Sequence, residues 1–211
     1  HSDHTGGLPA LVPGLPWDVP LRCTPPTLAI TRILFNDALK IMQFKEEREG
    51  DIPLYPPEAV ELTLGRMKGV PYLTTVPICD GALKATWIPA GHILGAACIY
   101  IEGKRESLLV SGDVSVGDQR TIPGMVIPRC RPDVAVLEAT YGNRRHADRA
   151  QQEAALVEKV AEVIEAGGKV LIPAFAVGRA QEVILILARA VRQGRMPPFP
   201  VWVDGMVRAV N

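Results

Sequence analysis

Residues 169–182 read KVLIPAFAVGRAQE. The first seven, Lys169 to Phe175, form an apolar run without polar alternation, the pattern of a strand buried on both faces. Gly178 then opens a helical stretch that extends to about Gln193, and FPVWVDG (199–205) is a further β-rich run. Strand, helix and strand in that order predict an α/β fold with a parallel pairing and a right-handed crossover.

The same logic extends toward the start of the chain. Asp148 and Gln151 have the spacing of a helix N-cap and its partner. Val157, Val160, Ala161 and Ile164 share one helical face, and Gly167-Gly168 ends it. DVAVLEATYG (133–142) is an apolar strand that runs into a polar cluster. KATWIPA (84–90), AACIYIE (96–102) and SLLVSGD (107–113) are short runs of β-formers, with a hairpin turn at GKRE (103–106). Further back, Thr24 followed by Pro25 and Pro26 starts a helix. Its apolar positions, Ile30, Ile33, Leu34, Ala38, Ile41 and Met42, carry it to about Glu47. A break at 50–57 precedes a second helix to about Met67. The proline-rich stretch 8–26 reads as loop with at most a short helix. No internal repeat is present.

Composition excludes several classes. The chain has 211 residues, room for one large domain or two small ones. No apolar run approaches a membrane span. Lys+Arg and Asp+Glu are equal at 23 each, so no basic excess announces a nucleic-acid binder. The four cysteines, Cys23, Cys79, Cys98 and Cys130, are far apart. That excludes a CxxC zinc finger and fits reduced, mostly buried thiols in a cytoplasmic protein.

The chemistry-bearing residues are few. There are four histidines: His1, His4, His92 and His146. HSDHTGG (1–7) packs two imidazoles and a carboxylate into four residues. His1 and Asp3 are two apart and cannot share a helical face. A tight loop would turn His1, Asp3 and His4 toward one region. Imidazole and carboxylate suit Zn²⁺, with Fe and Mn as substitutes. Alone, the string is equally an exposed polar turn or a tag remnant. His92 lies between two strands in IPAGHILG, Asp113 ends SLLVSGD and Glu138 ends VAVLE. Each alone is an ordinary loop residue, but together they place imidazoles and carboxylates at strand ends.

The series HSDHTGG, PAGHILGA, LLVSGD and LEATYG resembles the metallo-β-lactamase superfamily. EATYGNRRH followed by KVLIPAFAVGRAQE narrows the resemblance to its β-CASP branch of RNA-processing nucleases. It looks like bacterial RNase J relatives and the endonuclease of pre-mRNA 3′-end cleavage. The resemblance covers essentially the whole chain. It implies a partial αββα sandwich over 1–142, lacking its N-terminal strands, and the start of an inserted β-CASP α/β domain over 143–211.

The family motif is HxHxDH, and the chain begins at its second histidine, so it reads as a fragment lacking both termini. The resemblance implies two Zn²⁺ ions. His1 and His92 would bind one, with a lost histidine. Asp3 and His4 would bind the other, with a histidine beyond Asn211. Asp113 would bridge both, and Asp3 would also aim the attacking hydroxide. Glu138 would orient a C-terminal histidine that protonates the leaving group. Zinc acidifies bound water from about 15.7 to roughly 7, and two metals about 3.5–4 Å apart clamp a phosphodiester. With five of roughly seven such ligands, the chain alone is expected to hold zinc weakly and to be inactive.

Arg144, Arg145 and Arg179 are candidate phosphate contacts, although Arg179 equally suits pairing with Glu182 or Glu158. Arg149 reads as a solvated helix start. The leading expectation is a zinc-dependent ribonuclease acting on single-stranded RNA, as a homodimer or within an RNA-processing complex. The alternatives are a DNA-specific β-CASP nuclease, a small-molecule hydrolase of glyoxalase II type, and a non-catalytic scaffold subunit.

Overall fold

The computed structural model describes all 211 residues, His1 to Asn211. The chain is α/β with two sheets. The first residues form a single helical turn, α1 (Ser2–Thr5), then α2 (Leu8–Leu11) and one 3₁₀ turn. Strand β1 (Leu21–Cys23) leads into the long helix α3 (Pro25–Glu49), and α4 (Pro57–Arg66) follows. Strand β2 (Met67–Gly69) pairs in parallel with β1.

The main sheet contains β3 (Thr75–Ile78), β4 (Leu83–Pro89), β5 (Ala97–Glu102), β6 (Ser107–Val110) and β7 (Val134–Val136), in that spatial order. The first three pairings are antiparallel, and β6–β7 is parallel. Helices α5 (Arg149–Glu165), α6 (Arg179–Arg192) and α7 (Val207–Val210) complete the chain.

The local rules operate as read. The Thr24 hydroxyl accepts the Thr27 N–H at the start of α3, and Pro25 and Pro26 fill the first turn, where no donor is needed. The carboxylate of Asp148 accepts the Gln151 N–H and starts α5. In β4, Ala85 and Trp87 alternate onto one face of the sheet and pack with Val70. Ile88 turns to the other face and packs with Ala90 and Cys98. Two further cores lie outside the sheet. One gathers Phe35 of α3 with Val60 and Leu64 of α4. The other gathers Val157 and Val160 of α5 with Ile186, Leu187 and Ala190 of α6.

Four expectations need correction. Residues 169–175 and 199–205 are not strands, so the expected crossover unit is absent. Apolar character alone does not make a strand; each backbone group needs a neighbour to pair with. Residues 169–174 and 199–204 make no backbone hydrogen bond to another segment. Their side chains are exposed, Leu171 at 93% and Trp202 at 90%. The start of the chain is a helical turn, not a loop. The cysteines are free, but only Cys98 is buried; Cys23 and Cys130 are half-buried and Cys79 is exposed. No helix is long and apolar enough to cross a membrane.

Candidate metal centre

The α1 turn decides how the first residues are displayed. His1 is its N-cap, and His4 lies three positions on, so both rings share one side. Both point at the loop that follows β6. His1 Nε2 lies 2.7 Å from Asp113 Oδ2, and His4 Nε2 lies 3.2 Å from the same oxygen. His92 Nε2 approaches it at 3.6 Å. The His1 ring is 4.6 Å from that of His4 and 5.4 Å from that of His92, centroid to centroid. Three imidazoles therefore surround one carboxylate oxygen.

Asp3 stands elsewhere. On a helical turn it falls off the shared face, and it is 82% exposed. Its carboxylate faces the other nitrogen of His1, 3.6 Å from Nδ1.

Each arm of the cluster is fixed by its backbone. Asp113 follows Gly112, whose φ of +57° turns the chain out of β6. The buried Ser111 anchors that turn: its N–H donates to the Val136 carbonyl, and its hydroxyl donates to the Gly112 carbonyl. Glu138 closes it from the other side. Its Oε1 accepts the N–H of Val114, next after Asp113, at 2.8 Å, and its own N–H donates to Ser111 Oγ. The Val114 hydrogen bond, aided by Thr140, holds the Glu138 carboxyl below its ordinary value.

His92 sits in a tight loop between β4 and β5. Gln119 Nε2 donates to the carbonyls of Gly91 and His92, at 2.8 and 2.7 Å. The hydroxyls of Thr24 and Thr27, at the start of α3, both donate to the Gly95 carbonyl. Two glycines are obligatory here. Gly91 has φ +70°, and a Cβ there would lie 2.3 Å from the Met125 nitrogen. Gly95 has φ +94°, and a Cβ there would lie 2.7 Å from Thr27 Oγ1. The cluster opens into a cavity of about 280 Å³ that runs past Trp87 toward Thr24 and Thr31.

The donor chemistry fits the implied zinc. The ligand atoms of His1, His4 and Asp113 all lie within 4.8 Å of one another, and imidazole with carboxylate is a zinc-type set. His92 borders the same space.

The arginine candidates are not part of this cluster. Arg144 lies over the Tyr141 ring at 4.8 Å, and the His146 ring is tilted against the same tyrosine, 3.9 Å away centroid to centroid. Arg145 and Arg179 are exposed. Arg179 makes no ion pair. Glu182 is taken instead by Arg149, which also binds Glu153, and Arg120 binds Glu153 from the loop beyond Asp113. Thus Arg149 opens α5 partly exposed, as expected, but also pairs with two carboxylates. Sequence reasoning missed this network and also missed Gln119 and Ser111. Glu182 had a signal: with Ile186 and Ala190 it falls at i, i+4 and i+8 on the apolar stripe of α6. Gln119 and Ser111 had none.

The α1 turn and the loops after β4 and β6 thus gather imidazoles and a carboxylate, side chains of metal-ligating type. Sequence comparison narrows the class. The chain is 34% identical over 187 residues to Integrator complex subunit 11 of Danio rerio, covering 89% of this chain and 31% of that protein. It is 32% identical over 207 residues to the RNase J-like protein of Methanocaldococcus jannaschii, covering 97% and 45%. It is 34% identical over 187 residues to Endoribonuclease ysh1 of Schizosaccharomyces pombe, covering 89% and 24%. The chain spans less than half the length of each. No protein-family model matches it. These relatives are members of the β-CASP branch of the metallo-β-lactamase superfamily, and the chain is similar to them along most of its own length.

Proposed function

We propose that the full-length protein is a zinc-dependent ribonuclease that hydrolyses phosphodiester bonds of single-stranded RNA. We assign residues 1–142 to its metallo-β-lactamase domain and 143–211 to the β-CASP region. The observation that carries the reading is the convergence of His1, His4 and His92 within 3.6 Å of one oxygen of Asp113. Homologues named as an RNase J-like protein and an endoribonuclease support the nuclease class.

His1, His4, His92 and Asp113 would hold two zinc ions, with Asp113 shared between them. Bound there, zinc supplies Lewis acidity toward the phosphate and brings the pKa of water to about 7. The remaining work belongs to the chain. Glu138 and Ser111 keep Asp113 in place through the Val114 N–H and the 111–112 turn. Gln119 and the two threonines fix the backbone of the His92 loop. The Asp3 carboxylate lies 3.6 Å from His1 Nδ1, and its charge favours a proton on that nitrogen, which would leave Nε2 as the atom to bind zinc.

The test is cleavage of a single-stranded oligoribonucleotide by the full-length protein. Cleavage should stop with a chelator, return with zinc and be absent in Asp113→Ala. Cleavage of DNA alone, or no cleavage by a protein holding two zincs, would overturn the reading.

A further inference from the structure

A second cavity, of about 200 Å³, lies between α5, α6 and the loop beyond Asp113. It shares no lining residue with the histidine cavity. Its floor is apolar, formed by Ala150, Ala154 and Ala190 with Val157 and Ile186. Its rim carries Arg120, Arg189 and Arg195 against one carboxylate, Glu153.

That carboxylate is already engaged. Glu153 Oε1 accepts from Arg149 at 3.0 Å, and Oε2 accepts from Arg120. The nearby Glu182 is spent on Arg149 and Thr121. Arg189 and Arg195 have no ion pair, and their guanidinium groups make no hydrogen bond to the protein. Arg120 Nε is buried without a partner. In a chain of zero net charge, this excess is local. The carbonyl end of α6 favours a cation in its last turn, where Arg189 and Arg192 stand. It does not account for Arg195, which lies past the helix, or for Arg120.

A guanidinium fork suits phosphate oxygens. We propose that this cavity is an accessory site for single-stranded nucleic acid, in which Arg189 and Arg195 take a backbone phosphate. The inference rests on the nucleic-acid reading above and adds a second contact point on the strand.

The test uses the full-length protein in EDTA, so that nothing is cut, with a fluorescent single-stranded oligouridylate and anisotropy as readout. The double variant Arg189→Glu/Arg195→Glu should weaken binding about ten-fold. It should also flatten the salt dependence by about 0.7, the slope that one neutralised phosphate contributes on a single strand. Arg48→Glu, a charge reversal on α3, should change neither. Unchanged affinity and slope in the double variant would overturn the site and leave the nuclease reading intact. The same holds if the variant only lowers the melting temperature, which would make the arginines helix-end partners. Displacement of the strand by millimolar inorganic phosphate would assign a small-anion site and overturn the proposal. A wild-type protein that binds no strand and cuts none with zinc restored would sink both readings.

Discussion

Asp113 and Glu182 are two carboxylates with opposite surroundings. Asp113 is partly open to solvent and meets three imidazoles. Glu182 is 1% exposed and fully engaged by Arg149 and Thr121, within a set of two arginines and two glutamates. On the proposed reading, the first region is the one that takes up a cation. The second is balanced and gains nothing. Burial alone would raise the Glu182 carboxyl, but backbone hydrogen bonding in the Arg120–Thr121 segment, the Thr121 hydroxyl and the Arg149 charge outweigh it and hold it low. A charged group is thus not a site because it is buried or paired; it is a site because its neighbours leave it incomplete.

Substitutions test that contrast. Asp113→Ala should lower RNA hydrolysis by the full-length protein at least about a thousand-fold, the equivalent of several kcal/mol of lost metal assistance. Its urea midpoint should hardly move. Glu182→Ala should do the reverse. Loss of one partner from a buried ion network should cost about 3 kcal/mol in urea unfolding, while hydrolysis by the folded fraction persists. If Asp113→Ala proved as destabilising as Glu182→Ala, the two regions would not differ in kind.

The effect of Glu138→Ala is intermediate, because Glu138 acts through the backbone next to Asp113. Zinc affinity, followed by competition with a chromogenic chelator, should fall about 10-fold. Unchanged affinity would mean that Ser111 alone holds the turn.

The smallest effect concerns acid. Glu182 and Glu153 both titrate below the ordinary 4.5 in the folded chain. For carboxyls depressed on folding, the stabilisation is fully present above about 4.5 and is lost as pH falls through the depressed values. Glu182→Gln should therefore be less stable near neutral pH, and its stability should fall less steeply below 4.5. An acid limb as steep as that of the wild type would place the titrating groups elsewhere.

The sheet was legible because β4, β5 and β6 each carry β-formers between clear turns, and the hairpin at 103–106 lies where GKRE put it. His92, Asp113 and Glu138 were legible because each follows an apolar strand, where the chain must turn. Asp3 was less so. Its display depends on the α1 turn, which two-residue spacing cannot foresee. The runs 169–175 and 199–205 were misread because composition records what a strand is made of and not whether anything pairs with it. Glu182 was readable in principle, since a carboxylate on an apolar helical stripe requires a cation, but the identity of that cation depends on the packing of α5.

Leu171, Phe175 and Trp202 have a consequence for handling the chain in solution. They are exposed apolar side chains on two separate β-prone segments, a kind of surface that favours self-association. At high concentration these two segments, rather than the neutral average charge, are expected to govern association, and light scattering of a Leu171→Ser/Trp202→Ser variant would show it.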